Sequence, residues 1–241
     1  METIFSTLMS KTLFIIASQI FVTFLSTQYL INYFKKLYSQ KNPNVTAIQK
    51  PDGELDLIVF WPYIKKWVYA SLTASVLLFF IVMYFSSRNP GLAYFTFVIW
   101  SLVTGVTLGF SLLSIDENLG ARALQLTSLV TFGATFIGVY SKIDFSFLGE
   151  ILFFVLLALI LYRLVSLFKA FSNKMHLIVS FISAIAFTFY LIYDFNKLSQ
   201  MNNIQIENTW STAIDFAVEI YLDIINLFLD ILDILHRLSK T

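Results

Sequence analysis

The chain has no cysteine and only two histidines, His176 and His236. Disulfides, thiol redox chemistry and Cys-ligated metals are excluded, and a His-based metal site lacks enough ligands. Charge is scarce as well, at 13% of residues. A soluble domain of this length needs roughly 25% to cover its surface with water-compatible groups. The net charge of +1 gives no basic excess that would favour nucleic acid as a partner. No small-x-small cleavage site follows the first apolar stretch, which does not read as a cleavable signal.

Apolar residues make up 58% of the chain, and mean hydropathy is +0.76. Crossing a bilayer takes about 20 apolar residues. Runs of that size place spans at about 12–34, 67–87, 91–113, 122–141, 147–168, 176–195 and 210–235. Their length and lack of alternation make them helices, because lipid leaves no other open structure satisfied. The expected fold is therefore an all-α integral membrane protein with seven transmembrane helices in one domain. A re-entrant course is the alternative for the seventh. The one long polar segment is 35–66, with turn signals at Asn42-Pro43-Asn44 and Pro51-Asp52-Gly53 and room for a short amphipathic piece around 55–63. Lys and Arg number four on the N-terminal side and twelve on the side of the long segment and the C-terminus. The positive-inside rule then puts the C-terminus in the cytoplasm.

Ionisable residues inside spans are costly and carry a functional expectation. The seventh span holds Asp215, Glu219, Asp223, Asp230 and Asp233, with Asn226 between them. At 100° per residue all six fall within an arc of about 80°, along a stripe of about 27 Å. A surface amphipathic helix would carry Lys and Arg on such a face, since head groups are anionic. An interior polar face fits Asp215, Glu219 and Asp223 better, while Asp230 and Asp233, close to His236, Arg237 and Lys240, read as a solvated continuation. Asp194 closes seventeen uncharged residues of the sixth span. Its bland reading is an interfacial acid paired with Lys197; its functional reading is a partner for an acid of the next helix. Two carboxylates meeting in a low-dielectric site cannot both ionise cheaply and would share a proton. Arg163 interrupts the fifth span; it either snorkels towards the Lys169 end or needs an acid at membrane depth. Asp194 or an acid of the last helix could serve, whereas Glu150 is about 20 Å away along its own helix. Thr104, Gly105, Thr107 and Gly109 in the third span, and Thr127, Ser128 and Thr131 in the fourth, read as helix-packing residues.

Four stretches then resemble one family. Val103-Thr104-Gly105-Val106-Thr107-Leu108-Gly109 is similar to an LTGxSLG stretch, and the segment from Ser141 to Gly149 to a TKRDFSFLG loop. Tyr193-Asp194 resembles the YD ending a sixth span, and the segment from Tyr221 to Leu229 the signature LYLDIINLFL. These are marks of the Bax inhibitor family, the transmembrane Bax-inhibitor-motif proteins. They occur in family order from roughly Gly91 onward; the first ninety residues match in hydrophobic pattern alone.

The resemblance implies a seven-helix fold with the last helix central and surrounded by the other six. It also implies a calcium leak governed by pH, with Asp194 and Asp223 as the sensor and gate. Family members occupy the inner membrane in bacteria and ER- or Golgi-type membranes in eukaryotes and viruses, where they oppose cell death. Glu150 stands where the family usually has Gly, and the family's second-span Arg has no counterpart unless Arg163 replaces it.

The function expected is a pH-sensitive Ca²⁺ leak channel. Asp215, Glu219, Asn226 and Asp230 are candidate pore-lining residues, Arg163 is a charge partner, and Asp194 and Asp223 are transient Ca²⁺ contacts. No cofactor is expected beyond Ca²⁺ as transported ion and H⁺ as regulator. The partners are the lipid bilayer, calcium ions and other membrane proteins. The alternative is a non-transporting regulator that binds membrane proteases or cell-death proteins. An intramembrane aspartyl protease is disfavoured, because no GxGD and no PAL triplet accompanies Tyr193-Asp194; enzymatic activity is not expected.

Overall fold

Helix-start signals recur along the chain. Thr7 and Ser10 cap one helix reciprocally, the Ser10 N–H donating to Thr7 Oγ1 and the Thr7 N–H to Ser10 Oγ. Asn89 accepts from the Leu92 N–H with Pro90 in the first turn, and Ser172 accepts from the Met175 N–H. The computed structural model describes residues 5–49, 55–113, 115, 117–166, 168–202 and 208–240. Seven helices lie among the described residues: α1 (Leu8–Ser39), α2 (Trp61–Ser86), α3 (Pro90–Leu112), α4 (Glu117–Tyr140), α5 (Leu148–Ser166), α6 (Asn173–Met201) and α7 (Trp210–Leu238). Helices α1 to α6 are long and apolar enough to cross a membrane. The acids of α7 set it apart from those six. The chain is a multi-pass integral membrane protein, and large apolar side chains such as Phe132, Phe153 and Phe154 stand exposed on α4 and α5, as lipid contact requires.

The polar segment 35–66 is shorter than expected and differently built. Helix α1 runs on to Ser39 and α2 begins already at Trp61. Between them lies an antiparallel hairpin of β1 (Val45–Gln49) and β2 (Leu55–Val59), in the register Val45↔Val59, Ala47↔Leu57 and Gln49↔Leu55. It takes the place of the amphipathic piece expected around 55–63. β-Branched pentads on either side of Pro51-Asp52-Gly53 explain it.

The chain forms two compact units. One comprises Thr12–Glu117 with Trp210–Asp215. Within it, α1 and α3 approach closely. A Cβ on Gly105 would come 2.4 Å from the Thr23 carbonyl oxygen, and one on Gly109 2.7 Å from Leu30. Two hydroxyls of α1 reach α3 carbonyls: Ser26 donates to that of Leu102 at 2.7 Å and Thr27 to that of Gly105 at 2.9 Å. On α4, by contrast, Thr127 and Ser128 turn back onto carbonyls of their own helix. The small residues of α3 thus permit the approach, and hydroxyls of both helices join them, since Ser101 of α3 donates to Gln19 Oε1 of α1 at 2.9 Å.

The other unit comprises Met1–Lys11, Asn118–Thr209 and Phe216–Thr241, and contains α4, α5, α6 and most of α7. Gly138 of α4 lies against α6, where an added Cβ would stand 2.6 Å from the Ile192 carbonyl oxygen and 2.9 Å from Phe195 Cβ. Asn196 of α6 ties down the α4–α5 connection: its Nδ2 donates to the carbonyls of Gly138 and Ile143, each at 3.0 Å, and its Oδ1 accepts from the Phe145 N–H at 3.1 Å.

Candidate functional site

Helices α6 and α7 face each other antiparallel, and four side-chain contacts mark the register. Ser180 meets Asp233, Ser183 meets Asp230, Asp194 meets Asp223 and Lys197 meets Glu219. On α6, Ser180, Ser183 and Asp194 fall within about 60° of one another, so one face supplies all three. That face meets the acidic stripe of α7.

Asp194 and Asp223 are 5% and 7% exposed, and their carboxyl groups lie within hydrogen-bonding range of each other. Asp223 Oδ2 is fully buried and receives no N–H or O–H from any ordinary donor. A carboxylate cannot donate, so this contact holds only while one of the two carries a proton. Asp194 is buried beside Asp223, while Lys197 pairs with Glu219 at 3.7 Å and also lies within electrostatic range of Asp194. Glu219 remains largely exposed and adds negative potential to both aspartates. Tyr190 lies within electrostatic range of the pair. Gly138, packed on the Ile192 carbonyl and Asn196 N, and Gly149, with the Tyr193 hydroxyl at 3.1 Å from where its Cβ would stand, hold α4 and the start of α5 on either side of Asp194 in the sequence.

Further along the two helices the chemistry changes. Asp230 is 4% exposed, so the expected solvated continuation of the stripe is corrected here: this acid is buried and satisfied. Its Oδ1 pairs with Arg163 Nη2 at 3.1 Å, and its Oδ2 accepts from the Ser183 hydroxyl. These partners engage both oxygens of the Asp230 carboxylate. Arg163 takes an acid of the last helix rather than Asp194 or Glu150. Asp233, partly exposed, accepts from Ser180 Oγ and from Arg237 Nε, both at 2.7 Å, and Arg237 also donates to Asn173 Oδ1. Asn226 is half-buried and donates to the Leu222 carbonyl of its own helix at 2.8 Å. Asp215 belongs to the other unit, at the start of α7. Along α7 only Trp210, Glu219 and Leu238 are exposed, unlike a helix lying on a surface.

Ser180, Ser183, Asn173 and Asn196 do not stand out in the sequence as site residues. The signal that finds the two serines is their shared face with Asp194. Among the described residues no cluster of three or more His, Cys, Asp or Glu could hold a metal ion.

The chain is similar to known proteins over most of its length. The family model described as inhibitor of apoptosis-promoting Bax1 matches residues 5–240. An uncharacterized protein of Helicobacter pylori strain J99 is 30% identical over 178 residues, covering 72% of this chain and 73% of the relative. An uncharacterized membrane protein of Streptococcus pyogenes serotype M1 is 29% identical over 172 residues, covering 70% and 74%. The protein LIFEGUARD 1 of Arabidopsis thaliana is 30% identical over 169 residues, covering 69% of each chain.

Proposed function

This chain belongs to the Bax inhibitor family, and from that premise we propose that it is a pH-sensitive cation leak that passes Ca²⁺ and is gated by Asp194 and Asp223. The observation that carries the reading is the buried carboxyl-to-carboxyl contact between α6 and α7, which lacks any cation or other donor at Asp223 Oδ2. One proton closes the contact. Removing it leaves two negative charges facing each other; at about 4 Å and an effective dielectric near 20, such a pair repels by about 4 kcal/mol. The helices then separate at that level, and the flux rises with pH. The carboxylates bared by opening are hard oxygen ligands suited to Ca²⁺, and Glu219 adds to the attraction. Asp215 is a further candidate for the cation path. The protein works without a cofactor and without enzymatic chemistry, and its C-terminus faces the cytoplasm.

The test is flux into liposomes loaded with a calcium dye, measured across a pH series. Wild type should leak more as pH rises. Asp194→Asn supplies an amide donor that needs no titrating proton, and its flux should be low and independent of pH. Asp223→Ala should leak at every pH. Equal flux from wild type and Asp223→Ala throughout would remove the gate. Absence of flux from all three, with a membrane protease or another membrane protein co-purifying, would favour the non-transporting regulator.

A further inference from the structure

The hairpin between α1 and α2 has two unlike faces. Val45 and Leu57 are buried in a cluster with Phe34 of α1, Ile64 of α2 and Leu113 at the end of α3, and Ala47 and Val59 pack against it. Strand side chains alternate, so Thr46, Ile48 and Ile58 point the other way. Ile48 is 59% exposed and Ile58 47%, and the chain leaves the hairpin through Phe60 and Trp61, both more than half exposed. Lys35 and Lys36 near the end of α1, Lys41 in the connection, and Lys65 and Lys66 in the first turns of α2, the segments that the hairpin joins, are exposed. Segment 35–66 carries six lysines against three acids. A ribbon facing open water would be polar on its outer side.

The position of the hairpin says what covers it. Its strands join the ends of two membrane spans: α2 starts two residues after β2, and the buried face is pinned to the ends of α1, α2 and α3. A five-residue strand is about 17 Å long, so a hairpin folded back on the span ends stays at the head-group layer. Exposed isoleucines and aromatics beside lysines suit the boundary between acyl chains and phosphates. We propose that the outer face of the hairpin, with the adjoining ends of α1 and α2, is a binding surface for anionic phospholipid. The lysines engage head-group phosphates, and Ile48, Ile58, Phe60 and Trp61 rest in the interfacial layer. The inference is independent of the gate, since none of its residues lies in the unit that holds Asp194 and Asp223.

Brominated lipids test it, because bromine quenches indole only on contact. The full-length protein is placed in nanodiscs containing brominated phosphatidylglycerol or, at the same mole fraction, brominated phosphatidylcholine. The signal of Trp61 is the difference between wild type and Trp61→Phe. Quenching by the anionic lipid should exceed that by the zwitterionic lipid severalfold at low salt. The excess should shrink as salt screens the lysines and vanish when Lys35, Lys36, Lys41, Lys65 and Lys66 are all changed to Gln. Equal quenching by the two lipids, or a preference that survives the glutamines, would overturn the charge recognition. No quenching of Trp61 by either lipid would show that the surface faces water or a protein, and would overturn the proposal outright. Both variants alter exposed side chains; the glutamines remove the charge recognition, and Trp61→Phe isolates the signal.

Discussion

Asp223 and Asp230 sit seven residues apart on α7, about 10 Å, and are almost equally buried, at 7% and 4% exposure. Their surroundings are opposite. Asp230 receives a guanidinium from α5 and a hydroxyl from α6, so it stays satisfied as an anion. Asp223 meets another carboxyl and keeps one oxygen without a donor. The same side chain, at the same depth on the same helix pair, is thus a fixed clamp in one place and a proton-dependent contact in the other. Burial alone does not make a switch; the identity of the partner does. The clamp joins α5, α6 and α7, whereas the carboxyl contact proposed as the gate joins α6 and α7.

The sharpest way to break this comparison is Arg163→Ala. Removing one member of a buried pair strands the other charge, at a cost of about 3–5 kcal/mol. Arg163 is itself half exposed, so the low end applies, about 3 kcal/mol. Thermal unfolding in detergent should show a drop of roughly 6–12 °C, while the pH dependence of flux survives. A loss below about 1 kcal/mol would mean that Asp230 is no clamp. Ser183→Ala is the milder version. It removes one hydrogen bond to a charged group but leaves the guanidinium, for a loss of about 1.5 kcal/mol. If it also flattened the pH profile, clamp and gate would be one device and the contrast would fail.

Much of the candidate site is legible in sequence, because a charged residue in an apolar run is a strong signal whatever the tertiary structure. Asp194, Asp223 and Arg163 declare themselves that way. What the sequence hides is pairing across helices. Nothing local distinguishes Asp230 from Asp233, and the nearby His236, Arg237 and Lys240 suggest water for both. The antiparallel register with α6 decides otherwise, bringing Ser183 and, from α5, Arg163 onto Asp230. The hairpin fails to show for a different reason. Its turn residues are plain, but β-branched pentads of five residues are too short to stand out beside runs of twenty. Asn196 is invisible for a third reason: an amide after Tyr193-Asp194-Phe195 carries no pattern, yet it secures three groups of the α4–α5 connection.

That connection supplies the smallest expected effect and a control for the comparison, since its acid is exposed to water and takes no part in either helix contact. Asp144 accepts from the Ser146 hydroxyl at 2.5 Å and from the Ser146 N–H at 2.9 Å, with Gln200 Nε2 at 3.3 Å. The Ser146 side chain first, then its backbone N–H, hold the Asp144 carboxyl below its ordinary value of 3.8. A carboxyl whose folded value is depressed adds stability above its unfolded value and loses it as pH falls through the folded one. Asp144→Asn should therefore weaken the turn slightly at neutral pH, and its difference from wild type should fade once pH is brought below 3.8. Hydrogen exchange at the Ser146 amide reads this directly. Leak through the gate should keep its full pH dependence in the variant. A difference that persists unchanged in acid would mean that the Asp144 charge is irrelevant to the turn. A flattened leak profile would mean that the titration seen in flux belongs to this exposed acid and not to the buried pair.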